Sequence, residues 1–484
     1  MKQIFGFTTI LLVLLFSCCE EDKNTAPPEP YGPLPSAEQL AWYDMEMNAF
    51  IHFTINTFTD KEWGYGDESP ELFNPTELDT DQWMSTLKDA GFSGAILTAK
   101  HHDGFALWPS EYTEHDIAAS PYKDGKGDLV KEVSESARKY DLDFGVYLSP
   151  WDRNRADYGE PSYVDYYRNH VKELFTGYGP VFEMWFDGAN GGDGYYGGAN
   201  EERKIDRETY YDWPKTIAMA KEMQPQVLFF SDAGPDLRWV GNEGGIGGKT
   251  NWNTINTDTL YAGKSDIGDI QQTGSPDGTS WVPAEVNTSI RPGWFYHASE
   301  DSLVRTPENL FELYLTSVGR GSTLLLNIPP DRRGLFHEND VAALEGFRKI
   351  LDSVFATNLA EKATATASSH RGKAEAFDAA KILDGDAETY WTTDDGVTTG
   401  SLELTWDAPQ KLNYLVLQEY IKLGQRVAAF KVLVWDNNAW KEIASETTIG
   451  HKRILKLNGV ETSKLKLEIT EALACPLISN VEVY

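Results

Sequence analysis

The stretch Phe182-Glu183-Met184-Trp185-Phe186-Asp187-Gly188-Ala189 is a short apolar run that ends in one carboxylate and a glycine. A parallel barrel delivers an acid to the mouth of its pocket in this way, which makes Asp187 a candidate nucleophile. Standing alone, such an Asp would more often cap the next helix. It has company: His52 follows the apolar Ile51, Lys100-His101-His102-Asp103-Gly104-Phe105 follows a second apolar run, and Tyr147 precedes Trp151-Asp152. A single histidine at a strand end is usually a hydrogen-bonded structural residue. Three of them converging with several carboxylates point to acid–base or metal chemistry instead. A metal centre on His52, His101, His102 and Asp103 is the competing reading, since barrels host such sites. Its spacing is poor, because neighbours on an extended strand point opposite ways and His101 and His102 could share an ion only at a bend.

The elements that must carry these residues alternate from Ser36 to about Phe355. Short β-rich runs at 49–53, 94–98, 144–148, 182–186, 227–231 and 323–328 are separated by helical patterns at 81–90, 129–140, 163–175 and 210–223, with closing helices at 308–318 and 339–354. This is the signature of βα units, and the expected class is α/β, a (β/α)8-type barrel over residues 36–355. The expected barrel is irregular, because the stretch from Gly234 to Gly293 is rich in Gly, Asp, Asn and Thr and resolves into no units. After Phe355 the pattern becomes alternating strands, among them 401–406, 414–418 and 430–435, which predicts an all-β sandwich over 356–484.

At the other end, an apolar run from Ile4 to Phe16 is too short to span a membrane and fits a signal-peptide core. Leu15-Phe16-Ser17-Cys18 resembles a bacterial lipoprotein cleavage site, which implies a signal peptide over 1–18, lipidation of Cys18 and an acidic, Pro-rich tether over 19–35. The implied place is the outer membrane or cell surface, with the periplasm as the alternative, and the only membrane contact is the lipid. Beyond Cys18 and Cys19 the chain has one further cysteine, Cys475, so no internal disulfide framework is possible. A formal net charge of -32 argues against nucleic acid and anionic surfaces as partners. A neutral substrate fits better, and 15 Trp and 23 Tyr supply faces suited to sugar C–H surfaces, although a large core would use them too.

Several motifs, taken in order, carry a family resemblance. His52-Phe53-Thr54-Ile55-Asn56-Thr57-Phe58, Glu62-Trp63-Gly64, the Lys100 to Phe105 run, Trp185-Phe186-Asp187-Gly188 and Arg291-Pro292-Gly293-Trp294-Phe295-Tyr296 resemble the α-L-fucosidases of glycoside hydrolase family twenty-nine. The family's first motif usually has Gly where Thr54 stands. The resemblance implies that Asp187 is the nucleophile of a retaining mechanism, that His52, Glu62, Trp63, His101, His102, Tyr147 and Trp185 contact fucose, and that Trp294 lies near its methyl group. The segment Gly234 to Gly244 resembles the subgroup that acts on branched α-1,3/1,4-fucosides, which makes Glu243 the acid/base, with Asp232, Asp236 and Glu285 as competitors. Arg238 is counted among the substrate-binding residues, touching the sugar or holding the Glu243 loop.

The implied reaction is exo-acting double displacement on a fucosylated oligosaccharide or glycoprotein glycan, with the two carboxyls about 5 to 5.5 Å apart and no catalytic cofactor or metal. The C-terminal region resembles the discoidin, or factor 5/8 C-type, sandwich common among carbohydrate-binding modules. Its Asp384, Asp386 and Thr389 loop resembles a structural Ca²⁺ site, with a tight acidic turn as the alternative. Buttressing of the barrel is favoured over glycan binding for this domain. Two alternatives to the linkage reading are a broad-specificity fucosidase and a glycan-capture lipoprotein that has lost catalysis.

Overall fold

The structure, a computed structural model, describes residues 25–484. The stretch expected to be a signal peptide, with Cys18, lies outside the described residues.

Ser36 opens the first helix, α1 (Ala37–Met45), through a capping box with Gln39. The helix then feeds Trp42 and Tyr43 into the same apolar cluster as Phe50, Ile96, Trp185 and Leu325. Eight parallel strands close around that cluster: β1 (Met47–Ile51), β2 (Gly94–Lys100), β3 (Asp143–Leu148), β4 (Glu183–Trp185), β5 (Leu228–Ser231), β6 (Leu237–Trp239), β7 (Ala284–Ser289) and β8 (Thr323–Asn327). β1 seals the barrel by pairing Met47 with Leu324 on one side and Asn48 with Gly94 on the other. Every residue of β1, β2 and β8 is buried, as expected for strands covered on both faces.

The outer layer comprises α2 (Thr80–Ala90), α3 (Leu129–Lys139), α4 (Pro161–Gly177), α5 (Trp213–Met223), α6 (Pro307–Thr316) and α7 (Glu338–Val354). A second, larger cluster that includes Trp83, Val133, Leu174, Phe229 and Phe347 fills the space between strands and helices. The irregularity lies where the sequence predicts it. β5 passes to β6 with no helix between them, and a long segment holding the short helix Gly268–Thr273 and an antiparallel pair of two-residue strands, Thr254–Ile255 with Ser280–Trp281, separates β6 from β7. The sequence reading misses these two strands for physical reasons. β6 is three residues long, and β7 reads Ala-Glu-Val-Asn-Thr-Ser, polar at alternate positions although all six residues are buried.

The C-terminal domain is a seven-stranded antiparallel sandwich: β9 (Thr364–Ala367), β10 (Trp391–Thr392), β11 (Gly400–Glu419), β12 (Val427–Asp436), β13 (Ala439–Glu446), β14 (Arg453–Ala472) and β15 (Leu477–Val483). β11 and β14 are each twenty residues long and pair along most of their length, with register shifts near Thr405 and Leu412. The Pro-rich segment before the barrel docks on this domain. Arg371 and Arg426 donate to the carbonyls of Ala26 and Glu29, and the Tyr31 N–H donates to the carbonyl of Leu423. Lys452 pairs with Glu46, and the His451 ring stacks on Tyr43 at 4.6 Å, so the sandwich is braced directly against the barrel.

The Asp384 loop closes on itself. The Thr389 hydroxyl lies 2.9 Å from both Asp384 carboxylate oxygens, one of which also accepts the N–H of Asp386, and Lys381 Nζ is 3.6 Å from the other. Both oxygens of the Asp384 carboxylate are thus engaged by neighbours.

Candidate active site

The C-terminal ends of the strands surround a cavity of about 170 Å³. Its wall contains Phe50, His52, Glu62, Trp63, His101, His102, Tyr147, Trp185, Asp187, Ala189, Glu243, Asn287 and Trp294. Ten residues expected from the sequence are therefore brought together from six strands and their loops, and Arg238 is not among them.

Asp187 follows β4 and is held from two sides. Tyr147 Oη donates to its Oδ2 at 2.9 Å, and the Ala189 N–H donates to Oδ1 at 2.7 Å. Its side chain is 26% exposed, and the exposed part opens on the cavity. Gly188 is needed beside it, because a Cβ there would lie 2.0 Å from Asp232.

The histidines are buried and differ in what they can offer a sugar. Asn327 donates its amide N–H groups to Ser289 Oγ and to the carbonyl of Trp294, so its Oδ1 must accept from His52 Nδ1, 2.8 Å away. That leaves His52 Nε2 as an acceptor. Ser149 donates to the carbonyl of Trp151 and so accepts from His102 Nδ1 at 2.7 Å, leaving His102 Nε2 as a second acceptor, 3.7 Å from Asp187 Oδ2. Burial pushes His52 down to about 3 and His102 down to about 4, so both are neutral at physiological pH. His101 is also held well below the usual imidazole range, by burial first and then by its neighbouring histidines.

Glu62 braces the opposite wall. Its carboxylate accepts from the backbone N–H of Trp294 at 2.8 Å and of Phe295 at 3.2 Å, and lies 2.7 Å from His297 Nε2. The buried pair of Arg291 with Asp340, Nε to Oδ2 at 2.9 Å, fixes the base of the same loop. Trp294 Nε1 then donates to Glu243 Oε2 at 3.3 Å. Glu243 stands at the cavity mouth, and its carboxyl is raised above the ordinary range by partial burial and then by the charges of Asp187 and Glu62. The hydrogen bond from Trp294 opposes that rise.

The competitors lie elsewhere. Asp236 pairs with Lys221 at 2.8 Å and accepts the Phe229 N–H. Glu285 is fully buried inside the barrel and accepts from Trp185 Nε1 at 2.9 Å. Asp232 accepts the Gly263 N–H and lines a second cavity of about 380 Å³. That cavity shares Trp185, Asp187, Ala189, Glu243 and Asn287 with the first and is walled further by Arg207, Trp239, Lys264 and Gln271.

Arg238 is corrected as a substrate-binding residue. On β6 its neighbours Leu237 and Trp239 join the barrel's interior cluster, so its own side chain takes the other face. There it is 1% exposed and donates to the carbonyls of Gln271 and Trp252 and to Asn251 Oδ1. It therefore ties down the segment that follows Glu243.

Three cavity residues, Phe50, Ala189 and Asn287, were not expected from the sequence. Phe50 lies edge-on to His52 at 4.5 Å and is indistinguishable in sequence from a core residue. Asn287 accepts from Trp239 Nε1 at 2.7 Å. Its only signal was the alternation Glu285, Asn287, Ser289, within a stretch with no other strand character. Among the described residues no group of three or more His, Cys, Asp or Glu side chains is arranged to hold a metal ion.

A closed parallel barrel with two carboxylates in unlike surroundings on one small polar and aromatic cavity is an arrangement that suits glycoside hydrolysis. The α-L-fucosidase family profile matches residues 31–353, and a factor 5/8 type C profile matches residues 364–480. Alpha-L-fucosidase 1 of Arabidopsis thaliana is 41% identical over 100% of this chain and 94% of its own length. A glycoside hydrolase 29 family member from an unknown rumen bacterium is 44% identical, with a TM-score of 0.86 over 94% of this chain and 78% of that one. A Ruminococcus gnavus family 29 fucosidase, solved in complex with fucose, is 32% identical, with a TM-score of 0.85 over 96% and 97% of the two chains. The chain belongs to the α-L-fucosidase family and is a glycoside hydrolase of that activity.

Proposed function

We propose that the enzyme is an exo-acting, retaining α-L-fucosidase of branched α-1,3/1,4-fucosylated glycans, with Asp187 as nucleophile and Glu243 as acid/base. The observation that carries this reading is the contrast between the two carboxylates that share the cavity. Asp187 is pinned by two hydrogen bonds, as a nucleophile must be, whereas Glu243 stands at the mouth with its proton held more tightly than usual.

In the first step an Asp187 oxygen bonds to the anomeric carbon while the glycosidic C–O bond breaks, and the Glu243 proton passes to the departing oxygen. In the second step Glu243 takes a proton from water, whose oxygen bonds to the anomeric carbon and releases Asp187. Fucose leaves with its configuration retained. Neutral His52 and His102 each offer an acceptor to ring hydroxyls, and Trp294 offers an apolar wall to the methyl group. The first cavity suits one terminal sugar, and the second, opening from the same carboxylates, suits a branched leaving group.

The test is a substrate panel. Lewis a or Lewis x trisaccharides should release fucose much faster than an α-1,2-linked or an aryl fucoside. Preference for the latter two would support a broad-specificity enzyme, and no release from any of them would support a glycan-capture protein.

A further inference from the structure

The long segment between β6 and β7 carries Glu243 near its start and then runs directly into the C-terminal sandwich. Gln425 of the sandwich, 5% exposed, is spent on this segment at both ends of its amide. Its Oε1 accepts from the backbone N–H of Asn253 at 2.8 Å and from Asn253 Nδ2 at 3.0 Å, and its Nε2 donates to the carbonyl of Asn251 at 2.9 Å. Thr448 Oγ1 accepts the Asn251 N–H at 2.9 Å, and Arg453 donates to the carbonyl of Lys249 at 2.7 Å. A glutamine engaged in this way has one orientation and one place.

The barrel also grips the segment: the Gly247 N–H donates to the carbonyl of Thr316 at 2.8 Å, Arg320 donates to the carbonyl of Gly247 at 2.6 Å, and Arg238 holds the carbonyl of Trp252 and Asn251 Oδ1. The part of that grip supplied by Thr316 and Arg320 is joined to the sandwich, because the turn following α6 accepts the Ile454 N–H at the carbonyl of Gly319. Glu243 meets the cavity wall through one long hydrogen bond, from Trp294 at 3.3 Å. Its aim therefore depends on how firmly its loop is seated.

We infer that the sandwich is a positioning element of the catalytic site, with Gln425, Thr448 and Arg453 seating the loop that directs Glu243 at the glycosidic oxygen. This rests on Glu243 acting as the acid. Proton transfer requires a reach of roughly 2.6 to 3.2 Å, and a misplacement of about 1 Å can cost on the order of a hundredfold in rate.

The test uses the full chain. Gln425→Ala should lower kcat on a Lewis-type trisaccharide at least about tenfold. The first-turnover rate of fucosyl-enzyme formation from fucosyl fluoride, which needs no acid, should change less than about twofold. Thr448→Val, a milder change, should show the same pattern at smaller size and carries the test if Gln425→Ala fails to fold. Lys456→Ala, which cuts the pair with Glu312 across the same interface, should leave both rates unchanged. Equal losses on the two donors, or no loss on the trisaccharide, would overturn the positioning role. Glu243→Gln is run alongside: a selective loss there, absent from the Gln425 and Thr448 variants, removes only the positioning role. No selective loss in Glu243→Gln removes the acid assignment itself.

Discussion

Tyr147 donates its hydroxyl to Oδ2 of Asp187 at 2.9 Å, the oxygen that His102 Nε2 also faces from 3.7 Å. Tyr147 stays a donor, because burial and the Asp187 charge hold its phenol well above the ordinary range. A hydrogen bond to a charged group contributes about 1.5 to 3 kcal/mol. Tyr147→Phe should therefore lower kcat by about ten- to a hundredfold with the circular dichroism spectrum unchanged. A variant at full rate would mean that Ala189 N–H alone orients the carboxylate.

The two carboxylates should separate by role. Asp187→Ala should abolish turnover of an oligosaccharide and of fucosyl fluoride, because every leaving group needs the nucleophile. Glu243→Ala should lose the oligosaccharide reaction by about 10² to 10⁴ yet still form the fucosyl-enzyme from the fluoride. Azide should release that intermediate as the α-fucosyl azide, whereas any azide rescue of Asp187→Ala should give the β-azide. Equal losses on both donors with no azide product would send the search for the acid to Asp232.

The pH–rate profile should carry a basic limb that belongs to Glu243. Its carboxyl is raised by burial and neighbouring charge, and the protonated form needed for the first step is lost as pH climbs through its pKa. The limb should appear with a Lewis-type trisaccharide and be absent from the first turnover of fucosyl fluoride, which needs no acid. His52 at about 3 and His102 at about 4 are neutral throughout pH 5 to 8 and should add no limb there.

Inside the barrel, Glu183 accepts from Trp42 Nε1 and Glu285 accepts from Trp185 Nε1, and each keeps one buried oxygen without a hydrogen-bond partner. Among the described residues no cation pairs with either. Burial raises both, Glu285 to about 7 and Glu183 well above the usual value, which the charge of Glu285 raises further. The folded state thus binds more protons than the unfolded chain, so this stabilisation is full below the unfolded value near 4.5 and is lost as pH rises through about 7. Glu285→Gln, neutral at every pH, should gain Tm relative to the parent between pH 5 and pH 8. A Tm difference that does not change with pH would show that the pair does not titrate in this window.

The proposal that Cys18 carries a lipid, made from its sequence motif alone, is tested by labelling. The mature protein should take up labelled palmitate and partition with outer membranes, and Cys18→Ala should abolish both. Labelling that persists in that variant would move the lipid to Cys19.

Much of the barrel and most of the site were legible in the chain itself. Covered parallel strands must be nearly continuous apolar runs, and the residues at or just beyond their C-terminal ends lie at the rim, so His52, His101, His102, Tyr147 and Asp187 could be placed on one mouth from order alone. β6 and β7 could not be read, because three residues show no period and a strand bearing Glu285, Asn287 and Ser289 toward a polar interior looks like a loop. The role of Arg238 was likewise decided only in three dimensions. Alternation along a strand says that a side chain takes one face or the other, and only the closed barrel turns Leu237 and Trp239 inward and leaves the guanidinium to the carbonyls of Trp252 and Gln271. The contact between Gln425 and Asn253 spans 172 positions, and no local pattern encodes a bond over that separation. It exists because the sandwich packs where the barrel's regular βα rhythm fails, and long-range packing of that kind is a property of the folded chain.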